Sequence, residues 1–275
     1  MATPGPLHTS PVTADGATPD RWALLLHGIY GRGRNWSAVA KQITAVRPEW
    51  GFWLTDLRLH GESPGMNPPH TIAAVADDVA TTARALSAQG TPLHAVLGHS
   101  FGGKVALSLT PALADALDQV WVIDSTPEAR TPDGSAWQML EIVRALPAPF
   151  PSRAAGIAAL EEQGLTTGVA TWMSTNLRRT DDGFVWALDF DALELLLRDF
   201  FASDLWPLVE RPPGHVSLHF VKAHDSSTLG EAACARIERL ARETGRVHLH
   251  RIAGGHWVNT DNPAAIVALL GEHLG

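Results

Sequence analysis

Short apolar runs alternate with longer amphipathic stretches along this chain. The apolar runs have the length of buried strands, and the amphipathic stretches have the length and spacing of helices. The runs occupy residues 23–26, 52–55, 93–97, 120–123, 216–221 and 247–252, and the helical stretches include 36–46, 72–89, 104–113 and 229–244. This alternation predicts an α/β fold with a mostly parallel central sheet and helices on both faces.

The alternation stops between residues 127 and 213, where no convincing strand is visible. Helical pieces separated by prolines fill this stretch, at 137–146, 154–163, 167–176 and 191–201. A parallel crossover needs only about a dozen residues, so we predict a helical cap over the carboxyl edge of the sheet; ordinary crossover helices are the alternative. The predicted organisation is an N-terminal arm at 1–20 with an edge strand near Leu7, a core at 21–126 and 214–275, and a cap at 127–213.

Residues 98–103 carry the most specific chemical signal. They read Gly-His-Ser-Phe-Gly-Gly and lie between an apolar run and a helical stretch. A Gly-x-Ser-x-Gly between strand and helix is the sequence form of a nucleophile elbow. The tight turn leaves no room for side chains at Gly98 and Gly102, and it exposes the hydroxyl of Ser100 close to a helix N-terminus. Ser100 is therefore the candidate nucleophile.

A serine hydroxyl needs an adjacent base, and that base needs an orienting group. His256 is the best candidate base, because it follows the last predicted strand in the sequence Ala-Gly-Gly-His-Trp. A loop histidine with no role is the alternative. Two residues could be the acid: Asp124, which ends the strand after the elbow helix, and Asp225, which ends the penultimate strand. The commonest hydrolase layout places the acid after the penultimate strand and favours Asp225.

Acyl transfer also needs backbone donors for the developing oxyanion. The expected donors are the N–H of Phe101, directly after the serine, and the N–H of Ile29 in the loop after the first core strand. Tyr30 and Trp257 are predicted to wall a substrate pocket, although each could be plain core. Further aromatic candidates for that pocket are Trp36, Phe101, Trp137, Trp172 and Trp206.

Composition narrows the range of possible binding partners and cofactors. The net charge is −8 with no basic cluster, so nucleic acid is an unexpected partner. One cysteine, Cys234, forms no intrachain disulfide. The histidine pairs 215/219 and 248/250 lack the companions of a metal site, so we expect no metal and no cofactor. No secretory signal and no membrane-spanning run are visible, which predicts a soluble cytoplasmic protein acting on a small molecule without membrane contact. The oligomeric state stays open.

From about Trp22 onward the chain resembles the α/β-hydrolase superfamily. The resemblance rests on four segments in the expected order: Leu25-Leu26-His27-Gly28, Asp56 to Ser63, Gly98 to Lys104, and Gly255-His256-Trp257-Val258. The elbow and the Gly-His-Trp-Val ending are similar to a branch of short-acyl esterases and thioesterase-like hydrolases. In that branch the acid lies in a segment resembling Val122 to Pro127, which implies Asp124. Phe101 replaces the usual Met or Leu, and the cap has little similarity to the branch.

These observations predict a serine hydrolase that cleaves carboxylic esters of small to medium acyl groups through an acyl-enzyme. The same three residues could instead serve a thioesterase, a lactonase, a carbon–carbon bond hydrolase or a perhydrolase. A ligand-binding receptor on a hydrolase scaffold is an alternative from a different class.

Overall fold

A computed structural model describes residues 6–63 and 65–275. The strands are β1 Thr9–Val12, β2 Arg21–Leu26, β3 Trp50–Thr55, β4 Leu93–His99, β5 Gln119–Ile123, β6 Leu177–Thr180, β7 Gly183–Trp186, β8 Ser217–Ala223 and β9 Val247–Ile252. The helices are α1 Ser37–Val46, α2 Ile72–Ala88, α3 Phe101–Leu109, α4 Gly134–Ala145, α5 Arg153–Glu162, α6 Thr167–Ser174, α7 Phe190–Ala202, α8 Trp206–Glu210, α9 Glu231–Thr244, α10 Val258–Asp261 and α11 Pro263–His273.

The described strands form one large sheet and one hairpin. The large sheet has seven strands in the order β1-β3-β2-β4-β5-β8-β9, within residues 6–63 and 65–275. All its pairs are parallel except β1 with β3, which is antiparallel. The predicted mostly parallel sheet is confirmed. Because parallel strands end at the same edge, the loops after β2, β4, β5, β8 and β9 can converge on one site.

Side chains of the parallel strands enter two separate cores, one on each face of the sheet. In β2, Leu24 and Leu26 pack on one face, together with buried residues of α2, α3 and α9. Ala23 and Leu25 pack on the other face, together with residues of α1 and α11. Successive strand residues point to opposite faces, so a strand buried on both sides is a continuous apolar run. That is the pattern seen in the sequence.

Residues 127–213 contain α4 to α8, and the first four of these helices overlap the four predicted helical pieces. The expectation of no strand in this stretch is wrong, because β6 and β7 pair there as an antiparallel hairpin. Each strand is only four residues long, and the exposed Arg178 and Arg179 fill the middle of β6. A strand this short and polar shows no apolar alternation, so its pattern is invisible in the sequence.

Lys104, on the elbow helix α3, joins residues 127–213 to the rest of the chain. Its Nζ donates hydrogen bonds to the carbonyl oxygens of Glu128 (2.6 Å), Phe200 (2.6 Å) and Ser203 (2.9 Å). From the sequence alone, a lysine at the start of the elbow helix is expected to make a salt bridge. The structure instead gives it three carbonyl acceptors, near the start of the inserted segment and at the C-terminus of α7, where the helix dipole favours a cation.

The N-terminal region contributes β1 at the sheet edge, close to the predicted position near Leu7. Residues 1–5 of the predicted arm lie outside the described residues. Within the described part of the chain, no helix combines the length and apolarity that crossing a bilayer requires. The cytoplasmic location stays a prediction.

Candidate active site

The turn between β4 and α3 places Ser100 in a strained backbone conformation. Its φ is 53° and its ψ is −117°, a region that non-glycine residues rarely adopt. A Cβ at Gly98 would overlap the carbonyl oxygen of Gly102, and a Cβ at Gly102 would lie 2.6 Å from the carbonyl oxygen of His27. Both positions therefore require glycine. Helix α3 begins at Phe101, three residues before the predicted start, so Ser100 lies directly before its first turn.

Ser100, His256 and Asp124 form a continuous hydrogen-bonded chain. The Nε2 atom of His256 lies 3.1 Å from Ser100 Oγ, and its Nδ1 lies 2.6 Å from Asp124 Oδ2. A carboxylate accepts only, so Nδ1 carries the proton and Nε2 faces the serine hydroxyl as an acceptor. The His256 side chain is 23% exposed and that of Asp124 is 0% exposed. The histidine can therefore reach a substrate while the aspartate stays shielded from water.

Asp124 is held as a buried anion by donors on both of its oxygens. Oδ1 accepts from the Ala223 backbone N–H at 3.2 Å, and Oδ2 accepts from Ser226 Oγ–H at 2.5 Å as well as from His256. Burial opposes ionisation and acts to raise the pKa of Asp124. The bonds from His256, Ser226 and Ala223 outweigh burial and hold that pKa below its ordinary value. The carboxylate is consequently ready to stabilise a protonated imidazole.

The alternative acid, Asp225, is not brought to His256 by the fold. Its side chain is 67% exposed and lies 2.8 Å from His224 Nδ1. Two hydroxyls from the same loop after β8 take the inward positions instead. Ser226 contacts Asp124, and Thr228 Oγ1 lies 3.2 Å from His256 Nδ1. Sequence reasoning missed both, although their position directly after the penultimate strand is a usable signal.

His99 supports the loop that carries His256. Its Nε2–H donates to the backbone carbonyl of His256 at 2.7 Å, and the two imidazole rings are 4.8 Å apart. Burial, reinforced by the nearby charge of His256, lowers the pKa of His99 to about 3. A neutral His99 can stand beside a protonated His256 without repelling it. This is a third contact that the sequence did not reveal.

Two further buried histidines fix the backbone on either side of Ile29. His27 Nδ1–H donates to the Gly28 carbonyl at 2.7 Å, and His60 Nε2 accepts from the Tyr30 N–H at 3.1 Å. Burial lowers the pKa of His27 to about 4 and that of His60 to about 3, so both are neutral at pH 7. The loop carrying the Ile29 N–H is thus held from both sides.

The other predicted oxyanion donor is the backbone N–H of Phe101, which is the first residue of α3. The N–H groups in the first turn of a helix have no partner inside the helix, so they are available to an anion. The positive end of the helix dipole adds to this preference. The surroundings of Ser100 therefore suit a negatively charged oxygen.

Ser100 lines a cavity of about 260 Å³, which we call the catalytic cavity. Its walls come from the loop after β2, from α4, from the segment leading into α6 and from the loop after β9. The lining residues include Ile29, Tyr30, Ala136, Met139, Ile142, Leu165, Val169, Trp172 and Trp257. Both pocket residues singled out in the sequence, Tyr30 and Trp257, line this cavity. Its wall is mostly apolar, which suits a hydrocarbon group.

The other aromatic candidates lie in different places. Trp172 lines the catalytic cavity, whereas Trp36 lines a neighbouring one. Phe101 and Trp206 are buried in the apolar core, and the Trp137 ring lies 6.5 Å from that of Phe201.

The histidine pairs weighed as metal ligands are arranged differently from a metal site. His219 Nδ1 lies 3.1 Å from His250 Nε2, and the His219 ring stacks 4.2 Å from that of Trp121. His215 lies 3.4 Å from Asp118 instead. No group of three or more His, Cys, Asp or Glu side chains is arranged to hold a metal in the part of the chain that the structure describes.

A parallel sheet with a serine elbow at its carboxyl edge and a histidine that follows the last strand defines an α/β hydrolase. The chain belongs to the alpha/beta hydrolase family, whose model matches residues 23–269. It is 25% identical over 266 residues to the sn-1-specific diacylglycerol lipase ABHD11 of Mus musculus, covering 94% of this chain and 82% of that protein. It is 27% identical over 260 residues to Esterase YbfF of Escherichia coli (strain K12), covering 91% of this chain and 92% of that protein.

Solved structures share the fold. A marine microorganism esterase superposes with a TM-score of 0.77 at 23% identity, over 96% of this chain and 98% of that one. An E-2-(acetamidomethylene)succinate hydrolase superposes with a TM-score of 0.76 at 19% identity, over 97% of this chain and 99% of that one. The predicted α/β-hydrolase fold is confirmed.

Proposed function

We propose that this chain is a serine hydrolase that cleaves carboxylic esters of small to medium acyl groups. The observation that carries the proposal is the hydrogen-bonded chain from Ser100 Oγ to His256 (3.1 Å) and from His256 to Asp124 (2.6 Å). The names of the relatives, a lipase and an esterase, support an ester as the substrate.

In the first step, Ser100 Oγ attacks the ester carbonyl carbon while His256 Nε2 takes the hydroxyl proton. The carbonyl oxygen becomes an oxyanion, and the N–H groups of Ile29 and Phe101 are the proposed donors to it. His256 is then an imidazolium, which the Asp124 carboxylate stabilises through Nδ1–H. Donors already in place need no rearrangement as the negative charge develops.

Collapse of the tetrahedral intermediate breaks the bond to the alcohol oxygen, and His256 Nε2–H protonates that leaving alcohol. The acyl group stays on Ser100 as an ester. Water then enters, His256 removes one of its protons, and the oxygen attacks the acyl carbon. The acid is released, and the proton returns from His256 to Ser100 Oγ.

Residues 127–213 are proposed to act as the cap of this enzyme, over a core of residues 21–126 and 214–275. The support is that α4 and α6 contribute Met139, Ile142, Val169 and Trp172 to the wall of the catalytic cavity. The cavity volume of about 260 Å³ bounds the acyl group.

Hydrolysis of p-nitrophenyl esters from acetate to laurate tests the proposal. We expect turnover with an optimum at medium chain length and a fall toward laurate, because the cavity fills. Ser100→Ala is expected to remove nearly all activity with an unchanged circular dichroism spectrum. Ser87→Ala, at an exposed serine of α2, is the matched control. Equal turnover by the Ser100→Ala variant would refute the assignment.

A further inference from the structure

The loop after β2 makes a tight turn at residues 28–31, which we call the oxyanion turn. The Gly31 N–H donates to the Gly28 carbonyl at 3.0 Å, so Ile29 and Tyr30 are the two central residues of the turn. The Ile29 N–H is one of the two proposed donors to the oxyanion. A contact that fixes the backbone of this turn therefore also fixes the direction of that N–H.

Tyr30 occupies the oxyanion turn in a backbone conformation that a bulky residue disfavours. Its φ is 62°, and the residue is buried, with 2% of its surface exposed. A positive φ is an outlier for a bulky residue, and turns that need one at their third position normally have glycine or asparagine there. Such a conformation persists only where surrounding contacts hold it. The contacts that Tyr30 makes are therefore part of what keeps the turn in shape.

Three hydrogen bonds join the loop after β2 to the inserted segment. Asn176 Nδ2–H donates to the Tyr30 backbone carbonyl at 2.8 Å. The Tyr30 hydroxyl donates to the Ala136 carbonyl at 2.8 Å, and Arg32 Nη2–H donates to the Thr175 carbonyl at 3.0 Å. Of these three bonds, the one from Asn176 is made to the backbone of the oxyanion turn. Asn176 is therefore the point at which the inserted segment acts on that backbone directly.

Asn176 is itself held firmly. It lies between α6 and β6 and is 1% exposed. Its N–H donates to the Met173 carbonyl at 2.9 Å, and its own carbonyl accepts from the Ala187 N–H at 2.8 Å. Its side chain turns the NH₂ group toward Tyr30, because a backbone carbonyl can only accept. A buried amide on a fixed backbone can hold the Tyr30 carbonyl in one position.

We propose that Asn176 is a positioning residue for the oxyanion turn, so that the inserted segment contributes to the chemical step as well as to the cavity wall. This rests on the proposed esterase function and adds a residue that acts through Tyr30. His60 accepts from the N–H of Tyr30, and Asn176 donates to its carbonyl. The two bonds together fix both peptide groups of the strained residue next to Ile29.

Loss of the Asn176 bond has a distinct kinetic signature. The oxyanion forms only as the carbonyl is attacked, so a misplaced Ile29 N–H lowers kcat and leaves substrate binding nearly unchanged. The oxyanion is common to every acyl chain, so the loss is the same for esters of different length. A change in the shape of the catalytic cavity instead alters the dependence on chain length. A purely structural role of Asn176 lowers the melting temperature and the fraction of active protein.

The test compares wild type with Asn176→Leu, which keeps a similar volume and removes the donor. Hydrolysis of p-nitrophenyl acetate, butyrate and hexanoate is measured well below the melting temperature of each protein. We expect kcat/KM to fall about ten- to a hundredfold, less than for the loss of an oxyanion donor itself. The factor should agree within about twofold among the three esters, with KM within about threefold of wild type. Asn67→Leu makes the same change at an exposed position and is expected to keep wild-type kinetics.

Inhibition by 1-butaneboronic acid gives a readout that a structural role does not move. Its boron accepts an electron pair from Ser100 Oγ, and a hydroxyl on the resulting anionic tetrahedral boron stands in for the oxyanion. We expect Ki for Asn176→Leu to rise by the same factor as kcat/KM falls, because a transition-state analogue measures the same stabilisation. A lower kcat/KM with an unchanged Ki, or a loss that depends on chain length, would overturn the positioning role.

A second variant decides if Asn176→Leu does not fold. Asn176→Ser leaves room for a water molecule that can donate to the Tyr30 carbonyl, so the carbonyl keeps a partner while the fixed geometry is lost. We expect kcat/KM to fall and Ki to rise by at least about threefold in this variant, as for one weakened hydrogen bond. Wild-type values of both constants would contradict the proposal.

Failure of the underlying esterase proposal is recognised separately. In that case wild-type protein hydrolyses none of the three esters, and Ser100 acquires no acyl group. If wild-type protein hydrolyses the esters and is inhibited by the boronic acid, but folded Asn176→Leu behaves in the same way, the esterase stands and the positioning role of Asn176 is refuted.

Discussion

Replacing Asp124 by asparagine is the most informative single perturbation, because the surrounding bonds dictate how the new side chain must orient. The Ala223 backbone N–H points at Oδ1 and can only donate. An asparagine must therefore keep its oxygen on that side and turn its NH₂ group toward His256 and Ser226. Facing a donor, His256 takes the other tautomer, with Nδ1 as acceptor and the proton on Nε2. In that form it cannot accept the proton of Ser100.

The size of the effect follows from this tautomer change. The variant retains the serine, the proposed oxyanion donors and the cavity, but it loses the proposed general-base catalysis and the anion that would stabilise the imidazolium. Aspartate-to-asparagine changes that impose the wrong tautomer on a serine–histidine pair cost about 10⁴ in kcat. We expect a loss of about 10³- to 10⁴-fold in kcat for Asp124→Asn, with KM within a few-fold of wild type because no cavity residue is changed.

The assay is steady-state hydrolysis of p-nitrophenyl butyrate at pH 8, with circular dichroism and a melting curve on each protein. Asp225→Asn is the matched control, since it makes the same change at the other candidate aspartate. Its side chain is 67% exposed and contacts His224, so we expect kcat within about twofold of wild type. A larger loss in Asp225→Asn than in Asp124→Asn would show that the acid has been assigned to the wrong strand.

Three further predictions concern residues outside the reacting centre. Lys104→Met removes charged hydrogen bonds to three carbonyls that join α3 to the inserted segment, and we expect a stability loss of about 2–3 kcal/mol by urea unfolding; an unchanged midpoint contradicts this. His60→Ala removes the acceptor of the Tyr30 N–H, and kcat/KM is expected to fall about ten- to a hundredfold, less than losing an oxyanion donor outright. Burial lowers the pKa of His219 from 6.5 to about 3, so below pH 6.5 the unfolded chain binds a proton that the folded one refuses. The free energy of unfolding therefore decreases as the pH is lowered from 6.5 toward 3, by up to about 1.4 kcal/mol per pH unit from this residue. Between pH 6 and 4, the unfolding free energy of His219→Gln should depend on pH less steeply than that of wild type.

Much of the fold could be predicted because its signals are local. The strands of the parallel sheet are buried on both faces, so each is a continuous apolar run such as 120–123. The elbow is specified by glycines whose Cβ positions are occupied by backbone atoms. Chain order and a position directly after the last strand predict His256 as the base. These signals depend on neighbours in sequence or on the order of elements, both of which the sequence displays.

What the sequence did not display depends on contacts between distant residues. Ser226 reaches Asp124 across 102 positions, and Lys104 reaches Ser203 across 99. Such partners share no spacing or period in the sequence. Residue type alone therefore predicts a salt bridge for Lys104, and it leaves Asp225 as an alternative to Asp124 for the acid. The hairpin β6–β7 is not predicted from the sequence, because strands of four residues have too few positions to show a hydrophobic period. The neighbouring cavity that Trp36 lines is formed by four separate chain segments, and none of them signals it alone.

The most direct measurement is mass spectrometry of the protein quenched in acid during turnover of p-nitrophenyl butyrate. We predict a butyryl adduct on the peptide that contains Ser100, which disappears as substrate is exhausted and is missing in Ser100→Ala. Asp124→Asn should form the same adduct more slowly. Turnover of the ester with no adduct at Ser100, or with an adduct on another residue, would contradict the proposed mechanism.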